Sequence, residues 1–206
     1  MLFRSSICEV QVNKDFVNFS HIRADRSLAS RIYLGAYLSN VSTSKLYSQY
    51  GKSIAKNSIA NFRTYSINRG AQLANYSMVT MLQILFVIAF KTTSASSVLG
   101  RGYVSGSSPL STGGTDTKGL YFNASSSQQM KIFGLEDLWG NLSAYYDGII
   151  HMTKQGLLIG HSSYNNEGTG YTKVHPYVEP DYLKPDSANQ GTVQEVLGIP
   201  SAPFYP

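Results

Sequence analysis

The feature that most constrains the fold is a nearly continuous apolar segment at residues 78–90, which the folded chain has to shield from water. The segment has only 13 residues, whereas a membrane-spanning helix needs about 20, so we expect no membrane insertion. Its length favours a helix, and apolar residues on nearly all faces are typical of a helix buried in the middle of a domain. Ser77 precedes the segment as a candidate N-cap. A chain of 206 residues is long enough to enclose such a helix in one domain.

The charged residues and the cysteine count exclude several kinds of partner and cofactor. Only 14% of the residues are charged, and the 17 Lys and Arg residues are scattered, so we expect no nucleic-acid partner. The single cysteine, Cys8, excludes an internal disulfide and a thiolate metal cluster. The four histidines, His21, His151, His161 and His175, match no metal-binding spacing. We therefore predict no metal and no other cofactor.

Other segments have predictable local structure, and together they indicate the α+β class. Apolar residues at helical spacing predict a short helix over residues 58–69, with Ser58 as its N-cap and Gly70 just beyond its C-terminus. The glycine- and serine-rich residues 100–119 predict a loop, with a flexible linker as the plainest interpretation. Alternating or aliphatic-rich segments predict strands at residues 8–18, 31–38, 156–159 and 193–197.

One motif stands out, Phe-Gly-Leu-Glu-Asp-Leu-Trp-Gly-Asn at residues 133–141. Gly134 and Gly140 supply backbone freedom, and Trp139 is a large apolar side chain whose one N–H needs a partner. The Asn141 amide can satisfy buried backbone groups. The plainest interpretation is a core turn that joins two strands and carries no chemistry.

This motif resembles the core motif of the formylglycine-generating-enzyme superfamily, a branch of the C-type-lectin-like fold. The chain is also similar to a group of phage and prophage proteins, through residues 61–70, 81–88, 96–102 and 115–119 in the same order. The resemblance implies an α+β, C-type-lectin-like domain over residues 31–206, with two helices packed on a small, twisted, mostly antiparallel sheet. Residues 1–30 would then be an N-terminal arm or an assembly strand.

The resemblance to the enzymes of this superfamily does not extend to their chemistry. Their activity would imply copper-assisted oxidation by a pair of cysteines late in the chain, whereas Cys8 lies near the start. Glu136 and Asp137 are adjacent, so in a strand they would point to opposite faces and could not act as an acid/base pair. We therefore predict that the protein is not an enzyme.

The similar phage proteins imply a virion protein of the tail, the baseplate or a surface appendage. Residues 161–171 are rich in Tyr, Ser, Asn and Gly, a composition typical of recognition surfaces. We predict that this loop contacts the host cell through His161, Tyr164, Asn165, Asn166 and Tyr171. The expected partners are copies of the chain, other virion proteins and a host cell-surface glycan or protein. The alternative is a purely structural collar, baseplate, stopper or capsid-decoration protein with no ligand of its own.

The length of the chain after the motif adds an expectation about assembly. Only 65 residues follow Asn141, and the similar proteins continue past the equivalent of Pro206. Compared with these proteins, the chain is then naturally short, or it has lost its last residues, or a partner chain completes its sheet. An unfinished sheet leaves an open strand edge that pairs readily with another chain. We therefore expect the protein to be embedded in an oligomer.

Overall fold

The computed structural model describes residues 21–23, 25–152 and 156–175. In these residues the chain forms three helices and seven short strands, which confirms the α+β class. The helices are α1 (Ile59–Asn68), α2 (Tyr76–Phe90) and α3 (Ala95–Leu99). The strands are β1 (Asn40–Ser42), β2 (Lys45–Tyr47), β3 (Lys131–Ile132), β4 (Leu135–Glu136), β5 (Ile149–Met152), β6 (Gly156–Ile159) and β7 (Thr172–His175). The strands predicted at residues 8–18 and 193–197 lie outside the described residues.

The strands pair as separate small antiparallel sheets rather than as one sheet. Strands β1 and β2 form one hairpin, β3 and β4 form another, and β5, β6 and β7 form a sheet in that order. The turn of the β3–β4 hairpin has positive φ at both central residues, 50° at Phe133 and 78° at Gly134. Two positive φ values match the right-handed twist of the flanking strands, and glycine adopts them at little cost. The β6 strand confirms the prediction at residues 156–159.

Helix α1 forms where its spacing and caps predict it. The Ser58 hydroxyl accepts a hydrogen bond from the backbone N–H of Asn61, at 3.3 Å, and so caps the first turn. At the other end Gly70 has a φ of 75°, and the Ala71 N–H donates to the Ser66 carbonyl at 2.9 Å. The helix lies against β2, where the Arg69 guanidinium stacks 5.1 Å from the centre of the Tyr47 ring.

Helix α2 is confirmed as a helix, but two expectations about it are wrong. Its N-cap is Asn75, whose side chain accepts from the Met78 N–H at 3.0 Å, and not Ser77. The helix is also not buried on all faces, because Ile84 and Ile88 are 45% and 59% exposed. Its opposite face supplies Met78, Met81, Leu82, Gln83 and Phe86 to the interior.

The interior of the molecule is built around α2 and the β3–β4 hairpin. Phe86 stacks on Phe90 with ring centres 4.8 Å apart, Phe90 meets the edge of Tyr121 at 5.3 Å, and Tyr121 meets Phe133 at 5.7 Å. Ala29 and Ile32 belong to the same buried cluster. The described part of the segment predicted as an arm, residues 21–23 and 25–30, therefore contributes to the core.

Residues 31–38 are not the predicted strand. Their backbone groups bond singly to different partners instead of forming one ladder. The Ala36 carbonyl accepts from the Glu136 N–H at 2.8 Å, whereas the Tyr37 N–H donates to the Ser48 hydroxyl at 2.9 Å. Of the residues that suggested a strand, Ile32 and Leu34 pack in the core, whereas the Tyr33 side chain is 64% exposed.

The motif at residues 133–141 is a tightly bonded turn in the core. The Trp139 indole is buried and donates to the Gly100 carbonyl at 3.0 Å. The Asn141 amide bonds to both backbone groups of Leu110, accepting from its N–H at 2.8 Å and donating to its carbonyl at 3.2 Å. A Cβ on Gly140 would lie 2.9 Å from the Tyr103 nitrogen, closer than real contacts allow. These contacts hold residues 100–110 against the motif.

Candidate functional site

The candidate site is the loop of residues 161–171, which connects β6 to β7. Asn165 organises it from within. Its carbonyl oxygen accepts from the backbone N–H groups of Glu167 at 3.1 Å and Thr169 at 3.0 Å. Its amide donates to the carbonyls of Ser163 at 3.1 Å and Thr169 at 3.0 Å. Because these four bonds occupy both ends of the amide, Asn165 shapes the loop rather than offering its side chain to a ligand.

The two tyrosines of the loop are half-buried and also bond within it. The Tyr164 hydroxyl donates to the His161 carbonyl at 3.0 Å, and the Tyr171 hydroxyl accepts from the Asn165 N–H at 3.3 Å. Burial, together with the nearby charge of Asp147, raises the pKa of Tyr164 to about 12. Burial also raises the pKa of Tyr171. Both side chains are therefore neutral phenols at physiological pH.

Two side chains outside the loop fasten it to the helices. The His161 Nδ1 atom lies 3.2 Å from the Ser77 hydroxyl in the first turn of α2. Burial lowers the pKa of His161, so its imidazole is neutral at pH 7. On the other side, the Arg63 guanidinium of α1 donates to the side-chain oxygen of Asn166 and, at 3.3 Å, to the carbonyl of Asn165.

Arg63 is a site residue that the sequence reasoning missed. Its loop partners lie 102 and 103 positions away, and its ionic partner Asp147 lies 84 positions away. No local spacing signals such contacts. The only available signal was a basic residue beside Phe62 in a helix with few charges.

The surface that the loop presents is polar and carries little charge. Ser163, Asn166, Glu167 and Thr169 are exposed, and Glu167 is the one charged side chain among these four. A cavity of about 180 Å³ adjoins them, with Ile59, Tyr146 and Arg63 among its lining residues. Of the five predicted contact residues, Asn166 is exposed, while His161, Tyr164, Asn165 and Tyr171 are half-buried and support the loop.

A second polar cluster lies under the motif and is structural in character. Both carboxylates of the motif accept from the same Gln129 amide nitrogen, Glu136 at 3.1 Å and Asp137 at 2.6 Å. The expectation that they point to opposite faces is wrong, because β4 ends at Glu136 and Asp137 turns with a φ of 55°. The Glu136 carboxylate also accepts from the backbone N–H groups of Gly113 and Thr115.

This cluster fixes the glycine-rich residues 100–119, which therefore do not behave as a linker. Thr112 and Thr115 are 4% and 1% exposed. The Lys131 ammonium donates to the Thr115 carbonyl at 2.9 Å. The loop is thus tied to β3 and β4 by a buried ammonium and a buried carboxylate, both satisfied by polar groups of the chain.

Asp137 differs from its neighbour in one respect. Its Oδ2 atom accepts from Gln129 and, at 2.6 Å, from Asn141, whereas its Oδ1 atom is buried and has no hydrogen-bond partner among the described residues. Burial raises the pKa of Asp137 to about 6, and the charge of Glu136 adds to the increase.

The part of the chain that the structure describes contains neither a membrane-spanning helix nor a cluster of metal-ligating side chains. No helix there combines the length and apolar character needed to cross a bilayer. Nor do any three His, Cys, Asp or Glu side chains in that part come together in the manner of a metal site. The chain matches no protein-family model, no curated protein and no solved structure.

Proposed function

We propose that this chain is a bacteriophage virion protein of the tail, the baseplate or a surface appendage, and that it recognises the host cell surface through residues 161–171. The observation that supports the recognition role is the internal bonding of this loop. Asn165 makes four hydrogen bonds within the loop, and both tyrosine hydroxyls are engaged. A loop fixed in this way loses little conformational entropy when it binds.

The chemistry of the loop favours an uncharged, hydroxyl-rich target. Ser163, Asn166 and Thr169 offer hydroxyl and amide groups at an exposed position. Such groups bond readily to the hydroxyls of a surface glycan or to the backbone of a surface protein. The proposed partners are therefore a host glycan or protein, together with copies of the chain and other virion proteins, and the proposed location is the virion surface.

We also propose the finer fold assignment, a C-type-lectin-like domain. Its support is the hairpin at residues 131–136, which runs directly into the bonded Trp139, Gly140 and Asn141. A domain of this class presents loops from a fixed core, which agrees with a rigid loop beside α1 and α2. An experimental structure of the whole chain tests the assignment through the connection of its strands.

A blocking substitution tests recognition directly. Thr169→Trp fills the space above the loop, and Thr117→Trp is the matched control at another exposed threonine. The probes are arrayed bacterial surface polysaccharides and a panel of whole bacterial cells. We expect the wild-type chain and T117W to bind the same surface, and T169W to bind at least about tenfold more weakly. Equal binding by T169W would overturn the role of the loop, and no binding by the wild-type chain would overturn recognition.

One observation favours the purely structural alternative. Ile84 and Ile88 on α2 are exposed, and so is Tyr121, which contacts Phe90 of the same helix. We call these three exposed residues the apolar surface of α2. Side chains of this kind are typical of contacts with neighbouring subunits. Cryo-electron microscopy of particles that carry the chain separates the two functions: residues 161–171 at a distal tip support recognition, and the same residues buried between subunits support a structural role.

A further inference from the structure

A single guanidinium joins three separate parts of the chain next to the proposed recognition loop. The Arg63 Nε atom donates to Asp147 Oδ1 at 2.7 Å. The two terminal nitrogens of the same group donate to the side chain of Asn166 and to the carbonyl of Asn165. Arg63 on α1 thus contacts both the segment that leads into β5 and the loop that follows β6.

Backbone hydrogen bonds hold Asp147 in place and so fix the position of its ion pair with Arg63. The Asp147 backbone carbonyl accepts from the Tyr76 N–H at 2.7 Å, and its N–H donates to the Ala74 carbonyl at 3.0 Å. The side chains of Arg63 and Asp147 are only 16% and 3% exposed, so the ion pair is shielded from water. The backbone of Asp147 is therefore held by residues 74 and 76 at the start of α2, and its carboxylate in turn holds the guanidinium.

Different nitrogen atoms of Arg63 make the ion pair with Asp147 and the hydrogen bonds to the loop. One nitrogen serves the buried carboxylate, and the other two face residues 165 and 166. A planar guanidinium can donate to all three acceptors at once, whereas a lysine ammonium lacks this fixed, planar set of N–H donors. Asn166 is also the predicted contact residue that is exposed to a ligand.

We propose that Arg63 is the positioning residue of the recognition loop, holding Asn165 and Asn166 in the conformation that meets the host surface. The proposal rests on the proposed function. It assigns to α1 a role in recognition, although Arg63 itself lies below the exposed surface of the loop. The ligand-binding conformation is then present before the ligand arrives.

Hydrogen exchange tests the positioning on the full chain. Asn165 protects the amides of Glu167 and Thr169, so exchange at these two amides reports the closed loop. We expect Arg63→Lys to keep the pairing with Asp147 and an unfolding temperature near that of the wild type, yet to accelerate this exchange about tenfold, since the fork is lost. Arg69→Gln, on the same helix but stacked on Tyr47, is the control and leaves the loop unchanged.

A second variant covers the case in which changes at Arg63 unfold the chain. Asn166→Ala removes one bond to Arg63 and leaves the buried ion pair in place. We expect faster exchange at Glu167 and Thr169 with an unchanged unfolding temperature. Exchange as slow as in the wild type, in both R63K and N166A, overturns the proposal.

Binding to the arrayed polysaccharides and whole cells completes the test. We expect R63K to bind about tenfold more weakly than R69Q, although it does not touch the ligand. Binding by R63K equal to that of R69Q, despite faster loop exchange, overturns the role in recognition. If the wild-type chain binds no probe, the proposed function fails, while the exchange experiment still decides whether Arg63 holds the loop.

Discussion

Replacing Asp137 by asparagine should abolish a specific dependence of stability on pH. Burial raises the pKa of Asp137 from 3.8 to about 6 in the folded chain. The added proton has an evident position, because Oδ2 accepts from Gln129 and Asn141 while Oδ1 has no partner among the described residues. The other ionisable groups of this cluster are Glu136, whose charge raises the pKa further, and Lys131, which bonds to Thr115.

The sign and size of the effect follow from the shift. Between pH 4 and pH 6 the Asp137 carboxyl is protonated in the folded chain and ionised in the unfolded chain. The stability that this group contributes is therefore complete below pH 4 and is lost as the pH rises through 6. Raising the pKa of Asp137 from 3.8 to about 6 corresponds to about 3 kcal/mol, an upper limit because local relaxation reduces it. From pH 4 to pH 7, the free energy of unfolding of the wild type should fall by about 2–3 kcal/mol relative to that of D137N.

Urea unfolding at a series of pH values measures this difference. Ionisable groups away from residues 136 and 137 contribute equally in both proteins, so their contributions cancel when the two curves are subtracted. Glu167→Gln, at an exposed carboxylate, is the control for the loss of one negative charge. Parallel curves for the wild type and D137N would show that folding does not raise the pKa of Asp137. If D137N does not fold, a carbon-13 titration of the wild-type carboxyl decides the matter, since an apparent pKa near 4 contradicts a buried, partly unbonded Asp137.

Three further substitutions test the packing that supports the site. Gly140→Ala should destabilise the chain by about 1–3 kcal/mol in urea unfolding, because its φ of 77° disfavours a side chain; a change below about 0.5 kcal/mol would contradict this. Asn75→Ala should lower the free energy of unfolding by about 1 kcal/mol because the α2 cap is lost, and Ser77→Ala should lower it by less. A larger loss in S77A than in N75A would show that Ser77 is the N-cap. Ile88→Ser should change stability by less than about 0.5 kcal/mol but reduce self-association in analytical ultracentrifugation, and unchanged association would show that α2 is not an assembly surface.

Local chemistry explains which parts of the fold could be predicted from the sequence. The caps of α1 at Ser58 and Gly70 act within a few residues, so their signals are complete in the sequence. Residues 31–38 had a strand-like composition, but whether a strand forms depends on a continuous partner, which only the tertiary fold supplies. The N-cap of α2 was missed because both Asn75 and Ser77 qualify chemically, and contact with His161 engages the serine.

Composition predicted a polar loop at residues 161–171, but not the contacts that hold this loop in place. Composition indicated residues 161–171, and Asn166 is indeed exposed there. Composition does not distinguish an asparagine that meets a ligand from one that, like Asn165, shapes the loop. The support from Arg63 depends on Asp147 and on backbone bonds to the start of α2, which no local pattern encodes.

The proposed recognition loop and the apolar surface of α2 lie toward different ends of that helix, so host recognition and contact with a neighbouring subunit can coexist in one chain. The loop is fastened to the first turn through Ser77, whereas the apolar surface includes Ile88 near the last turn. Ile88 lies 11 positions after Ser77, about 16 Å along a helix, and Ile84 lies 7 positions after it, about 10 Å. A subunit whose contacts are confined to the apolar surface would leave the loop accessible. Ile88→Ser and Thr169→Trp should accordingly act independently, the first on association alone and the second on host binding alone. Loss of host binding in I88S at concentrations where the chain is monomeric would show that the loop and the apolar surface are coupled, which contradicts their independence.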